Sequence, residues 1–231
     1  VGNVRLAGNA RAAKSVSGIF ASLAKERPLR LATLERAISL ARDVPGVTIG
    51  EVQIGRSAGN AASHRLTIKV GANRFRALTY SDNRGTVENA RLRSFSSFSL
   101  ASLAVPGDQL QLDLFAIPYG KFRYLYGQAK GSVPLNSDGL HLSASASFGD
   151  HFQRASGPNL SGSSRQLAAE IAYPFVKSRS ASLSAHLQLA DWKSEQDQAG
   201  DRIQRDRFQV ARAWLEFRRG THFRLDGKIG I

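Results

Sequence analysis

From about Arg74 to Ile231 the chain alternates apolar and polar residues in one long segment after another. Gln109-Leu110-Gln111-Leu112-Asp113-Leu114 is one such segment, Leu140-His141-Leu142-Ser143-Ala144-Ser145-Ala146-Ser147-Phe148 another, and Leu183-Ser184-Ala185-His186-Leu187-Gln188-Leu189 a third. Successive side chains of a β-strand point to opposite faces, so strict alternation predicts strands with one apolar and one polar side. Few folds accept a long series of such strands. A two-sheet sandwich does, and so does a barrel, soluble or membrane-spanning.

The spacing predicts about nine strands of roughly 9 to 15 residues, against the usual 5 to 6 of globular sheets. They start near Arg74, Glu88, Gly107, Lys121, Ser137, Gly162, Ser178, Gln204 and Thr221. Asp82-Asn83-Arg84-Gly85, Pro106-Gly107-Asp108 and Asn136-Ser137-Asp138-Gly139 separate them with residues that tolerate tight backbone. In the second half the connections are expected to alternate in length. Asp150 to Ser161 and Ser194 to Ile203 read as long, and Pro174 to Arg179 and Arg219-Gly220 as short. Hairpins with their long loops at one end are the habit of outer-membrane barrels.

One parity carries Leu110, Leu112, Leu114, Leu140, Leu142, Leu167, Ile171, Leu183, Leu187 and Leu189; the other carries Gln109, Gln111, Asp113, His141, Ser143, Gln166, Glu170, His186 and Gln188. A soluble ligand-binding barrel would turn the leucines inward. A membrane wall turns them outward and keeps Gln109, Gln111, Asp113, His141, His186, Gln188 and Arg212 facing the pore. Tyr119, Phe122, Tyr124, Tyr173, Phe175 and Trp192, near strand ends, are expected in interfacial girdles. Bacterial single-chain barrels close with an even strand number, so about nine strands, with alternation still running at Ile231, are expected to be part of a barrel.

Residues 1–72 follow a different period. Val4-Arg5-Leu6 reads as a strand. Val16, Ile19, Phe20 and Leu23 recur at helical spacing, and Leu31, Leu34, Ile38 and Ala41 form a second apolar stripe that Pro45-Gly46 ends. Val47 to Ile54 and Arg65 to Val70 read as two strands joined by the turn-rich stretch Gly55 to Ser63. The predicted order is β-α-α-β-β.

Charge and motifs bound the chemistry. Thirty-two Lys and Arg against eighteen Asp and Glu give a net charge of +14, which suits an anionic partner. The densest basic group (Arg202, Arg205, Arg207, Arg212, Arg218, Arg219) is broken by Asp201, Asp206 and Glu216, so nucleic acid is not expected; rim arginines would meet lipid or lipopolysaccharide phosphates. The chain has no cysteine, which removes thiol catalysis and cysteine-based metal sites. His64, His141, His151, His186 and His222 show no metal-binding spacing, and no nucleophile, phosphate-loop or dinucleotide motif occurs. No enzyme and no cofactor is expected.

A β-α-α-β-β module leading into a barrel resembles the arrangement of outer-membrane polypeptide transporters, in which a polypeptide-transport-associated (POTRA) domain precedes the barrel. Pro28-Leu29-Arg30, Leu34-Glu35-Arg36-Ala37 and Asp43-Val44-Pro45-Gly46-Val47 resemble the second such domain of two-partner-secretion transporters, the haemolysin secretion/activation family. Ser81-Asp82-Asn83-Arg84-Gly85, Pro106-Gly107-Asp108-Gln109-Leu110, Val133-Pro134-Leu135 with Asp138-Gly139-Leu140, and Ala172-Tyr173-Pro174-Phe175 resemble successive turns of that family, in its order. The family's first POTRA domain, plug helix, later strands and arginine-bearing loop have no counterpart in the sequence.

The resemblance implies an α+β POTRA module at 1–72 in the periplasm and, at 73–231, the first part of an antiparallel transmembrane β-barrel in the bacterial outer membrane. It implies secretion of an unfolded exoprotein. An exposed strand edge at Val47, Thr48, Ile49, Val52 and Ile54 is the candidate client-binding surface, because backbone pairing accepts any extended sequence. Two other readings stay open: an outer-membrane assembly insertase of the same module order, and a soluble all-β domain that binds an anion.

Overall fold

The computed structural model describes residues 3–57, 60–84, 92–118, 120–154, 157–220 and 225–230, with backbone alone at 57, 60–63 and 225–230. The expected strand starts at Glu88 and Thr221, the turn residue Gly85 and the girdle residue Tyr119 lie outside the described residues.

The first module contains β1 (Asn3–Gly8), α1 (Ala10–Ala21) with a short 3-10 turn at Ser22–Ala24, α2 (Leu31–Asp43), β2 (Val47–Ser57) and β3 (Asn60–Ala72). The sheet order is β1-β3-β2, with β3 central, parallel to β1 and antiparallel to β2. Asn9 starts α1: its side-chain Oδ1 accepts the backbone N–H of Ala12 at 3.0 Å. Ala12, Val16 and Phe20 of α1, Leu23, and Leu34, Ala37 and Ala41 of α2 pack onto Leu66, Ile68 and Val70 of β3. Phe20, Leu23, Leu66, Ile68 and Val16 are fully enclosed. Each such side chain is worth about 1.5 to 3 kcal/mol, enough to sustain a small core.

Two expectations are corrected here. Leu31 is 70% exposed at the first turn of α2, and the buried stripe runs through Leu34, Ala37, Leu40 and Ala41. The stretch Gly55 to Ser63 is mostly strand: β2 continues to Ser57 and β3 begins at Asn60. Polar residues there extend the pairing because a two-stranded ribbon beyond the helices needs no apolar face.

The second sheet holds nine strands in strict sequence order, each antiparallel to the next. They are β4 (Phe75–Asp82), β5 (Arg93–Ala101), β6 (Gln109–Ile117), β7 (Phe122–Pro134), β8 (His141–Gln153), β9 (Leu160–Lys177), β10 (Ala181–Gln198), β11 (Asp201–Arg219) and β12 (Leu225–Gly230). β9, β10 and β11 run 18, 18 and 19 residues, longer than expected.

The expected loop from Ser194 to Ile203 is not a loop. Its polar residues are strand, and only Ala199-Gly200 turns, with φ of 55° and 97°. Two consecutive positive φ values make the tight hairpin that matches strand twist. Glu195 accepts both Arg202 (3.1 Å) and Arg205 (3.2 Å), which lets β10 and β11 stay paired past the apolar part of the sheet. The alternation of long and short connections therefore fails at this hairpin.

Among the described residues, the buried apolar side chains of the nine-stranded sheet are Ala101, Ile117, Ala172 and Pro174. The rest of the buried apolar set lies in the first module or at its junction with the sheet. The nine-stranded sheet therefore has almost no apolar core of its own among the described residues.

Candidate functional site

The registers decide which residues share a face. Asp113 pairs with Gln128, Gln128 with Ser147, Ser147 with Gln166, Gln166 with Trp192, and Trp192 with Phe208. Their parity contains Gln109, Gln111, Lys130, His141, Ser143, Glu170, Ser184, His186, Gln188, Arg212, Trp214 and Glu216. Leu112, Leu114, Leu142, Leu167, Ile171, Leu187, Leu189 and Leu215 occupy the other face and are exposed, Leu167 to 63% and Leu189 to 60%. The polar face is for the most part half-buried. The sheet is thus inside-out relative to a water-soluble protein.

A cavity of about 630 Å³ explains the burial. Gln109 and Gln111 of β6, Lys130 and Ser132 of β7, His141 and Ser143 of β8, Ser184 and His186 of β10, and Glu216 and Arg218 of β11 all line it. With Tyr173, Pro174 and Lys177 of β9, six neighbouring strands touch this one space, which requires the sheet to curl around it, polar face inward. Ser15, Gly18, Ile19, Leu40, Asp43 and Val44 of the first module close its near end.

Of the predicted pore-facing residues, Gln109, Gln111, His141 and His186 line this cavity. Asp113 lies farther up the same wall, accepting Ser97 Oγ at 2.5 Å and Gln111 Nε2 at 2.9 Å. Gln188 accepts Arg212 Nη1 at 3.3 Å on neighbouring strands. His186 contacts Glu170 through Nδ1 at 2.8 Å and stacks on Trp214, with ring centroids 4.7 Å apart and planes within 7°. The sequence reading missed Lys130, Trp214, Glu216 and Arg218 as wall residues. In β7 the facing side of the alternation is Gly127, Ala129 and Gly131, too small to mark a face.

The aromatic girdle is corrected in part. Phe122, Tyr124 and Trp192 have the parity of the polar wall, where Phe122 stacks on His151 and Tyr124 meets Phe115. Closeness to a strand end does not set facing; register does. Tyr173 and Phe175 form an edge-to-face pair at the module end, with Tyr173 in the phase of Leu167 and Ile171. At the other end the apolar face gains Phe148 and Phe152, the latter beneath the Arg123 guanidinium at 4.7 Å.

The module is fastened to the wall at its short turns. Arg36 of α2 donates to the backbone carbonyls of Pro174 (3.0 Å), Phe175 (3.1 Å) and Asp138 (3.4 Å), tying two turns at once. Asp43 pairs with Lys177. Gly139 has φ +98°, and a Cβ there would sit 2.6 Å from Pro174 Cγ and 2.8 Å from Leu40 Cδ2, so this turn and α2 approach as closely as glycine allows. Leu40 is buried at this junction and takes no part in the module's own core.

The turn between β5 and β6 is built on Asp108. Its carboxylate accepts the backbone N–H groups of Leu103 (2.6 Å), Ala104 (2.8 Å) and Val105 (3.0 Å). Burial opposes the charge, but these three donors and nearby Arg74 outweigh it, and the pKa lies below the ordinary aspartate value.

Val47, Thr48, Ile49, Val52 and Ile54 lie on β2, at one edge of the three-stranded sheet. Val47 points into the core, while Thr48 and Ile54 are exposed. The register shifts between Ile49 and Val52, so Gly50 and Glu51 bulge opposite Lys69. Lys69 donates to Glu51 at 2.9 Å across the bulge; that bond, aided by Gln53, holds the Glu51 carboxyl below its ordinary pKa. The edge is therefore two short pairing runs.

No protein-family model matches the chain, and no curated protein matches it in sequence. Solved structures do match its fold. CdiB from Escherichia coli aligns over 95% of this chain with a TM-score of 0.73 at 11% identity. CdiB from Acinetobacter baumannii aligns over 100% with a TM-score of 0.67 at 12% identity. BamA from Haemophilus ducreyi lacking POTRA domains 1–3 aligns over 99% with a TM-score of 0.56 at 12% identity. The chain spans 42%, 46% and 48% of those chains respectively. At such identity the likeness establishes a shared fold.

Proposed function

We propose that the chain is the periplasmic entry module and part of the barrel wall of a bacterial outer-membrane pore that secretes and activates a partner exoprotein by two-partner secretion. On this reading residues 1–72 are a POTRA domain in the periplasm and residues 73–231 belong to the barrel. The observation that carries it is the inside-out sheet: exposed leucines on the convex face, and a half-buried polar face around a cavity that the module closes. Lipid covers the leucines. The inner wall of Gln, Ser, His and paired charges solvates a passing chain without an apolar surface to hold it.

An extended client adds to the free edge of β2 through its backbone, using the runs on either side of the bulge. It then enters beneath α1 and α2, where the cavity lies. The role needs no catalytic group and no cofactor. Secretion is favoured over assembly because the fold is closer to CdiB, a two-partner-secretion transporter, than to BamA.

Deletion of the full-length gene tests this. One large exoprotein should disappear from the medium, and return with the intact gene but not with a copy lacking residues 1–72. A mutant that secretes every protein normally but fails to assemble its outer-membrane proteins would replace this reading with the insertase. A product that is a stable monomer without detergent would replace it with a soluble anion-binding domain.

A further inference from the structure

The outer face ends in a rank of cations. Phe148, Arg165, Lys193 and Arg207 are successive register partners on β8, β9, β10 and β11, and all four have the parity of the exposed leucines. Arg165, Lys193 and Arg207 therefore stand side by side on three neighbouring strands, about 5 Å from one to the next. All three are exposed. Among the described residues, Arg165 and Lys193 make no ion pair or side-chain hydrogen bond. Of the nearby carboxylates, Asp191, one rank toward the leucines, is engaged with Arg207 at 3.1 Å and Glu195, one rank beyond, with Arg202 and Arg205, while Asp150 stands one rank beyond Phe148, diagonal to Arg165, and offsets part of its charge.

The height of the rank is informative. On β9 the apolar face runs from Phe175 through Tyr173, Ile171, Ala169 and Leu167 to Arg165. That is ten residue steps, or about 33 Å along the strand, and about 25 Å across the membrane at a tilt near 40°, the usual height of a lipid-facing apolar band. The module docks at the Phe175 end, through Arg36. The cations thus occupy the opposite edge of the band, level with lipid headgroups of the outer leaflet. Two unpaired cations, Arg165 and Lys193, with Arg207 beside them sharing its charge with Asp191, spread over about 10 Å and match an anion with two separated phosphates better than one phosphodiester.

On the membrane reading proposed above, we propose that Arg165, Lys193 and Arg207 form a binding site on the outside of the wall for a lipid headgroup that bears two phosphates. Lipid A and cardiolipin both have that chemistry.

Native mass spectrometry of the full-length protein in detergent, titrated with lipid A, cardiolipin or phosphatidylglycerol, tests the site. Lipid A, cardiolipin or both should bind more tightly than phosphatidylglycerol at equal phosphate, and the preferred one identifies the source. R165Q/K193Q/R207Q should weaken that binding about tenfold or more, taking each surface cation at its usual worth. R11Q/K14Q/K25Q removes the same charge from the module and should change it less than about twofold. Equal binding of phosphatidylglycerol, an unchanged triple variant, or an equal loss in the module control overturns the proposal. Heat-modifiable migration checks assembly. If the triple variant does not assemble, K193Q and R165Q singly should each weaken binding about threefold, and no loss in either overturns the site. A wild-type protein that lacks heat-modifiable migration would instead refute the membrane reading itself.

Discussion

A chain carrying Leu187→Arg together with Leu189→Arg is expected not to assemble in the outer membrane. Both leucines lie on the apolar face of β10 and are exposed, to 49% and 60%. An arginine facing lipid near the bilayer middle costs roughly 2 to 4 kcal/mol, so the pair costs roughly 4 to 8 kcal/mol, comparable to the whole stability of many domains. Gln188→Arg, between them but on the wet face beside Arg212, should assemble normally. In a water-soluble sheet the order reverses: two exposed leucines become harmless surface arginines. Recovery of heat-modifiable protein from outer-membrane fractions, compared among the three chains, distinguishes the two cases.

The second large effect is expected at Asp108. Asp108→Ala leaves the N–H groups of Leu103, Ala104 and Val105 without the acceptor they share. A buried donor left unpaired costs about 1 to 3 kcal/mol, and with the turn relaxing the loss should be about 3 kcal/mol. Asp108→Asn should fall between, since one amide oxygen can keep the two bonds to Ala104 and Val105 but its NH2 faces the Leu103 donor. The depressed pKa adds a pH signature. The folded carboxyl binds its proton more weakly than the unfolded one, so its stabilisation is complete above the unfolded value of about 3.9 and is lost as pH falls through the folded value. Urea midpoints of the refolded protein in micelles, from pH 7 down to pH 3, should fall for the wild type in the acid range. The Asp108→Ala chain should start lower and lose less over that range.

The parts of the fold legible in the sequence are those where period alone carries information. Leu183 to Leu189 could be assigned to a strand and a face because large apolar and polar side chains strictly alternate. Val16 and Phe20 could be placed on a helix face for the same reason. What escaped has a different origin. Phe122 and Tyr124 were misplaced because only the pairing of Gln128 with Ser147 fixes the phase of β7. Ser194 to Ile203 resembled a loop because its residues are polar, yet cross-strand ion pairs sustain a ribbon there without burial. Arg36 could not be distinguished from any surface arginine. Its three carbonyl partners come from turns more than a hundred residues away in the chain, and no local pattern encodes that. The rank of Arg165, Lys193 and Arg207 is likewise a product of register, since the three are scattered in sequence.

The central claim is that the polar parity faces water and the apolar parity faces lipid. The chain has no cysteine, so single cysteines report without background. In intact outer membranes, cysteines placed one at a time at Ser145, Ser147 and Gln188 should react with a water-soluble maleimide, and those at Ala146, Leu187 and Leu189 should not. A lipid-soluble maleimide should reverse the pattern. Reaction of both parities with the water-soluble reagent, or of the leucine parity alone, would contradict the account.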